Sequence, residues 1–255
     1  MAKVNDSMPT PRLITIPVSH FCEKARWALD HAGIPFQEEG HLPMLHRIAV
    51  KRAGGKQSVP VLVKQGGILG ESTDIVRWAD SVRTRGARLW PADHDAEIAA
   101  WVKRFDTELG PATRLLGYAA LLPRIDLMAD ITTGIPTWEA RLVRVGFPVL
   151  ARILRKKLAI TPEREVKAMA RIQRSFDAVA AVLANGQRYL VGDSFTAADL
   201  TFAAMAAPSV FPAHYAGPLP SLDKLAPDHR KQVEAWRSHP AGAFALRMFS
   251  EHRRQ

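Results

Sequence analysis

The chain has 255 residues, of which 47% are hydrophobic and 24% charged, with 35 Lys and Arg against 25 Asp and Glu and a single cysteine, Cys22. That length suits one large domain or two small ones with a core that needs no staples, and that balance excludes a disordered or fibrous chain. One cysteine excludes an intrachain disulfide framework and a multi-cysteine metal site. Residues 1–11 are polar and carry two prolines, which predicts a loose arm. The opening MAKVNDSMPTPR has no apolar run of the kind a secretory signal needs, and no stretch is apolar enough to cross a membrane, so the cytoplasm is the expected compartment.

Arg12–Pro17 alternates and is β-branched, which predicts a strand. Phe21, Ala25, Ala28 and Leu29 then recur at helical spacing, with Gly33 as the stop. A second strand is expected over Phe36–Glu39 and a short helix over Pro43–Arg52, followed by a Gly-containing loop. Val59–Val63 and Ile68–Leu69 read as strands joined by the tight turn Gln65-Gly66-Gly67, and Glu71–Ser81 as a helix. Beyond this the chain is rich in Ala, Leu and Arg. Helices are expected near 93–118, 137–157, 162–184, 197–206 and 228–237, with no convincing strand. The pattern predicts an α/β domain over 1–85 and an all-helical domain over 92–255.

Three short elements of the first part carry chemistry. Ser19 stands where the first strand meets the first helix, and a helix N-terminus stabilises an anion such as a thiolate. A serine there is also an ordinary helix cap. Val59-Pro60 sets a proline at the start of an apolar strand, which is either an edge-strand proline or a cis peptide that turns the Val59 backbone outward. Glu71-Ser72 opens a helix, where a serine N–H and hydroxyl suit a carboxylate and Glu71 suits an ammonium group.

Taken together, SHFCEKARWALDHAGIPFQEE, SVPVLV and GESTDIVRWAD resemble the thioredoxin-like domain of the glutathione transferase family, in its serine-type, bacterial-like form. The resemblance implies Ser19 as the catalytic serine. It implies a cis Val59-Pro60 that pairs with the cysteinyl backbone of glutathione, with Glu71 and Ser72 holding the γ-glutamyl end. It further implies glutathione as co-substrate without a metal, a small hydrophobic electrophile as second substrate, a role in detoxification, and a homodimer. His41, His46, Lys56 and Gln57 lie near the loop that flanks the glycyl end, and a solvated loop accounts for each equally well. In the helical part, GDSFTAADLTFAA resembles the family's buried capping motif. There Thr196 is expected to cap, Asp199 to reach back, and Phe195 and Leu200 to form a staple. Trp101, Arg104 and Phe105 are expected to line the electrophile pocket.

Two features have competing explanations. Cys22 lies one turn inside the helix and reads as a small buried hydrophobe, although a glutathione-dependent thiol reductase is an alternative function, as is a non-catalytic glutathione- or ligand-binding protein of the same fold. The net charge of +10 is uneven, because residues 141–174 alone hold ten basic and two acidic residues. Within it, WEARLVRVGFPVLARILRKKL has the composition of an interfacial helix. Pro148 should kink or divide it, so the preferred reading is a pair of bundle helices with Arg and Lys toward solvent, no stable membrane association and no nucleic-acid partner.

Overall fold

The computed structural model describes residues 10–127, 130 and 132–253, so most of the expected polar arm lies outside the described residues. The first part runs β1 (Arg12–Thr15), α1 (His20–His31), β2 (Gln37–Gly40), α2 (His46–Arg52), β3 (Val61–Lys64), β4 (Gly67–Leu69) and α3 (Ser72–Ser81). The strands form one sheet in the order β2-β1-β3-β4, with β1 parallel to β2 and antiparallel to β3. A parallel pair needs a crossover, and α1 supplies it. Leu13 pairs with Leu62 and turns to a core shared with Trp27, Ile75 and Val76, while Ile14 pairs with Val61 and turns to Ala49 and Val50 under α2. Gly33 ends α1 at φ +71°, where the Ile34 N–H reaches back to the Leu29 carbonyl at 3.0 Å. Three strand starts differ from expectation, β4 beginning one residue early at Gly67. β2 begins one residue late, and β3 begins at Val61 rather than Val59, since Pro60 has no N–H for a ladder.

The rest is helical: α4 (Asp95–Arg104), α5 (Gly110–Leu121), α6 (Thr137–Lys157), α7 (Pro162–Ala184), α8 (Ala197–Val210), α9 (Pro227–Ser238) and α10 (Pro240–His252). The molecule is thus a thioredoxin-like α/β domain followed by a helical bundle. The single helix expected over 93–118 is three segments, because a π-helical stretch over Phe105–Leu109 joins α4 to α5. A π stretch adds one residue per turn and shifts the phase of every residue after it.

α8 is buried on nearly every side, which suits its all-round apolar sequence. Its start carries the expected capping box. The Asp199 carboxylate accepts from the Thr196 N–H at 2.8 Å and the Thr196 hydroxyl at 2.9 Å, and also from the Leu190 N–H at 2.8 Å. Phe195 and Leu200 are both buried in the main core.

α10 was not anticipated. Its opening Pro240-Ala241-Gly242 reads as a loop, yet Pro suits the first helical turn, where no backbone donor is lost. Gly242 is required by close approach, since a Cβ there would stand 1.8 Å from the Trp236 carbonyl oxygen.

The expected division of α6 at Pro148 does not occur, and the helix runs unbroken from Thr137 to Lys157. Pro148 and Arg144, whose carbonyl faces the proline ring one turn back, are both exposed residues, so the lost helix bond lies on the solvent side. The outer face of α6 also differs from the expected Arg and Lys surface, because Leu142, Val145 and Val149 are exposed on it as well.

Candidate functional site

Ser19 precedes α1 in an extended conformation (φ −74°, ψ 124°). Its N–H bonds the Ile16 carbonyl and its carbonyl takes the Glu23 N–H, both at 2.9 Å. The hydroxyl caps no backbone group, so the helix end is built by main chain, and the side chain meets the Cys22 thiol. Ser19 is half-buried. Cys22, one turn on, is fully buried, and burial pushes its thiol up against the opposing pull of Arg26. This fits the packing role expected for it.

The Val59-Pro60 peptide is cis, as expected, with Val59 half-buried and Pro60 buried. Ser19, Val59, Gln57 and His46 share the wall of one cavity of about 410 Å³. That is within the usual range for a small-molecule site. Pro60, Lys56, Glu71 and Ser72 are not on that wall. Lys56 is exposed beside Gln57. Glu71 leads into α3 in an extended conformation with an exposed side chain, and Ser72, the first residue of α3, is buried.

Both ring nitrogens of His46 are engaged in the fold. Nδ1 takes the Met44 N–H at 3.1 Å, and Nε2 lies 3.1 Å from the Gln57 carbonyl. Burial lowers its pKa, so the neutral ring accepts at Nδ1 and donates at Nε2. It pins the loop after β2 to the loop before Val59. Arg47, next to it, donates to the Gln57 side chain and also lines the cavity.

Buried charge under α1 positions these elements, and sequence patterning missed it. The Lys24 ammonium is fully buried and donates to Thr73 Oγ1 at 2.7 Å and to the Asp106 carboxylate at 2.8 and 2.9 Å. Burial lowers the Lys24 pKa, with Asp106 the main opposing influence. Thr73 also donates to Asp106 at 2.7 Å. α1, the first turn of α3 and the π-helical stretch are thereby tied together directly beside Glu71-Ser72. Arg26, equally buried, holds Glu38 on β2 at 2.6 Å and the Pro17 carbonyl at 3.0 Å. Glu23 takes Arg253 Nε from beyond α10 at 2.7 Å. The only local signal was a run of charged residues on a helix whose neighbours are all apolar.

The residues expected to line an electrophile pocket lie elsewhere. Phe105 is fully buried, stacked on Trp101 at 5.3 Å and tilted against Phe202 at 5.1 Å, and Arg104 turns away to the Arg174 carbonyl. None of Trp101, Arg104 and Phe105 lines the cavity. Arg114 and Tyr118 of α5 and Val143, Phe147 and Leu150 of α6 do. The π stretch between α4 and α5 changes which face meets Ser19. His20 lies beneath with Nε2 3.0 Å from the Gly110 carbonyl, and burial lowers its pKa to about 3, so it donates as a neutral ring. Burial raises the Tyr118 phenol to about 12, which keeps it protonated.

A second interdomain tie closes the side of the cavity. His41 Nδ1 lies 2.6 Å from Glu139 of α6, its Nε2 lies 2.9 Å from Glu39, and the Leu42 N–H donates to Glu139 at 2.8 Å. Burial works against the His41 charge, but the two carboxylates outweigh it and hold its pKa above the ordinary histidine value. His41 is therefore a double donor in the fold rather than a free loop residue. Among the described residues, no group of three or more His, Cys, Asp and Glu side chains could hold a metal, and no helix is long and apolar enough to cross a membrane.

Comparison with known proteins places this geometry in context. The family description "Glutathione S-transferase, N-terminal domain" matches residues 13–84, and its C-terminal counterpart matches residues 149–239. No curated protein matches the sequence. Among solved structures, a glutathione S-transferase of Ceriporiopsis subvermispora in complex with glutathione is similar over 96% of this chain and 98% of its own, at 16% identity and TM-score 0.65. The β-etherase LigF of Sphingobium sp. strain SYK-6 is similar over 93% of this chain and 99% of its own, at 21% identity and TM-score 0.59. Glutathione transferase F2 of Populus trichocarpa is similar at 17% identity over 94% and 93%, with TM-score 0.61.

Proposed function

Since the chain belongs to the glutathione S-transferase family, we propose that it activates the glutathione thiol for attack on a small apolar electrophile. In this reading 1–85 binds glutathione and 92–255 supplies the electrophile wall. Glutathione lies extended with its cysteinyl backbone on Val59, its γ-glutamyl end at Glu71-Ser72 and its glycyl carboxylate toward His46, Lys56 and Gln57. Ser19 donates its hydroxyl hydrogen to the sulfur. The thiol proton leaves to solvent, the thiolate forms a bond to the electrophilic carbon, and the leaving group departs with its electron pair. Much of the gain is a larger ionised fraction at neutral pH, because a free thiol has a pKa of about 8.5.

The observation that carries this reading is Ser19 at the N-terminus of α1, its hydroxyl capping no backbone group, on the same cavity wall as Val59. Ser19→Ala is the test. Conjugation should fall about tenfold or more while glutathione affinity persists, consistent with loss of one charge-assisted hydrogen bond. Unchanged turnover would remove Ser19 from the mechanism. The proposal includes a cytoplasmic homodimer, and sedimentation equilibrium checks the assembly.

A further inference from the structure

Among the described residues, α6 carries five of the nine exposed large hydrophobic side chains. Trp138, Leu142, Val145, Val149 and Ile153 follow one another at spacings of four, three, four and four residues, and so form one stripe along the helix. They are 57, 53, 86, 65 and 41% exposed. Single exposed hydrophobes need no explanation, but a continuous stripe does. The opposite face of the helix is already used, with Val143, Phe147 and Leu154 buried.

The charge around the stripe has one sign. Arg141, Arg144, Arg152, Arg155 and Lys156 are exposed, and their side chains have no hydrogen bond or ion pair to another described residue. The helix's one acid, Glu139, is buried against His41 and Leu42. Cations in a last turn complement the helix dipole, which accounts for Arg155 and Lys156. It does not account for Arg141 and Arg144 in the first half. At the far end the stripe meets an open groove with Leu122, Pro123 and Ile160 as apolar lining. Its charged lining residues are Arg152, Arg155 and Lys156.

We infer that the outer face of α6 docks on an anionic lipid surface, the apolar stripe entering the headgroup boundary and the cations meeting lipid phosphates and carboxylates. A helix with an apolar face bordered by Arg and Lys, and with Trp at its end, has the chemistry of an interfacial anchor. A second copy is the poorer occupant, because it would set one row of unpaired cations against another. Nucleic acid would satisfy the cations and leave the stripe in water. The unbroken helix through Pro148 removes the objection that made a bundle pair the preferred reading. The inner face of α6 lines the cavity, so docking would bring the electrophile wall beside the lipid.

The test is co-sedimentation of the full chain with vesicles of phosphatidylcholine alone or with about one-third phosphatidylserine. The expected result is pelleting on the anionic vesicles, about tenfold weaker on the neutral ones and weakened by salt. A Leu142→Ser/Val145→Ser/Val149→Ser variant should lose it while keeping its helical circular dichroism and glutathione affinity. Arg141→Gln/Arg144→Gln should reduce the preference for anionic vesicles. The inference is overturned by absent pelleting, by equal pelleting on both vesicles, or by pelleting that survives the serine variant. It is equally overturned if the serine variant only dissociates an oligomer, or if the chain retains DNA but no vesicle.

Discussion

α1 and α6 face the same cavity from opposite domains, and their charges are placed in opposite ways. α1 buries Glu23, Lys24 and Arg26, each paired with groups on other elements: Asp106, Glu38 and Arg253. α6 buries only Glu139 and leaves its cations in solvent. The contrast suits the tasks proposed for the two walls. A wall that presents main chain and a serine hydroxyl to a peptide must hold its helix end in one place, and buried ion pairs resist displacement because breaking one strands the other charge. A wall that presents Phe and Leu to an apolar molecule needs only shape and area. Substitutions on the two helices should therefore differ in cost.

The largest effect is expected at Asp106. Asp106→Ala leaves the buried Lys24 ammonium with Thr73 alone, and should lower unfolding free energy by about 3 kcal/mol, toward the low end for a buried pair because Asp106 is partly exposed. Denaturant unfolding measures it, and a loss as small as a surface substitution would show that α1 is not held by this cluster.

Glu139→Gln comes next, at about 1.5–3 kcal/mol for a charged hydrogen bond. The sign of its pH dependence follows from His41. The folded pKa is raised, so the stabilisation is complete below the ordinary histidine pKa of about 6.5 and is lost as pH rises through the folded value. The gap between wild type and Glu139→Gln should accordingly be wider at about pH 6 than at about pH 9. A gap independent of pH would mean that His41 is not charged in this contact.

A smaller loss of about 1 kcal/mol is expected for Thr196→Ala, which removes one capping oxygen while Asp199 keeps its backbone donors. Val145→Ser, on the exposed side of α6, should leave stability within about 0.5 kcal/mol of wild type. A loss comparable to that of Asp106→Ala would erase the distinction between the two helices.

The same contrast governs what the sequence discloses. Ser19 at a strand-to-helix junction, Pro60 at the start of an apolar strand, Glu71-Ser72 opening α3 and the Thr196–Asp199 box all show themselves over a few residues, because turn and cap chemistry is local. The partners of Lys24 and Glu23 lie 82 and 230 residues away, and no local pattern announces such pairs. The electrophile wall was misplaced for a related reason. A π-helical stretch leaves apolar periodicity almost intact but changes phase, so Phe105 faces the core and the α5 residues beyond it face Ser19. α10 was hidden by Pro240 and Gly242, which read as a loop and serve instead as a helix start and a close helix contact.

The central claim is that the Ser19 hydroxyl stabilises the glutathione thiolate. Ultraviolet titration of the thiolate in the wild-type complex, beside Ser19→Ala, tests it most directly. The account predicts a bound thiol pKa well below the free value of about 8.5 in wild type, returning toward that value in Ser19→Ala with glutathione still bound. Superimposable titrations of the two complexes would contradict it.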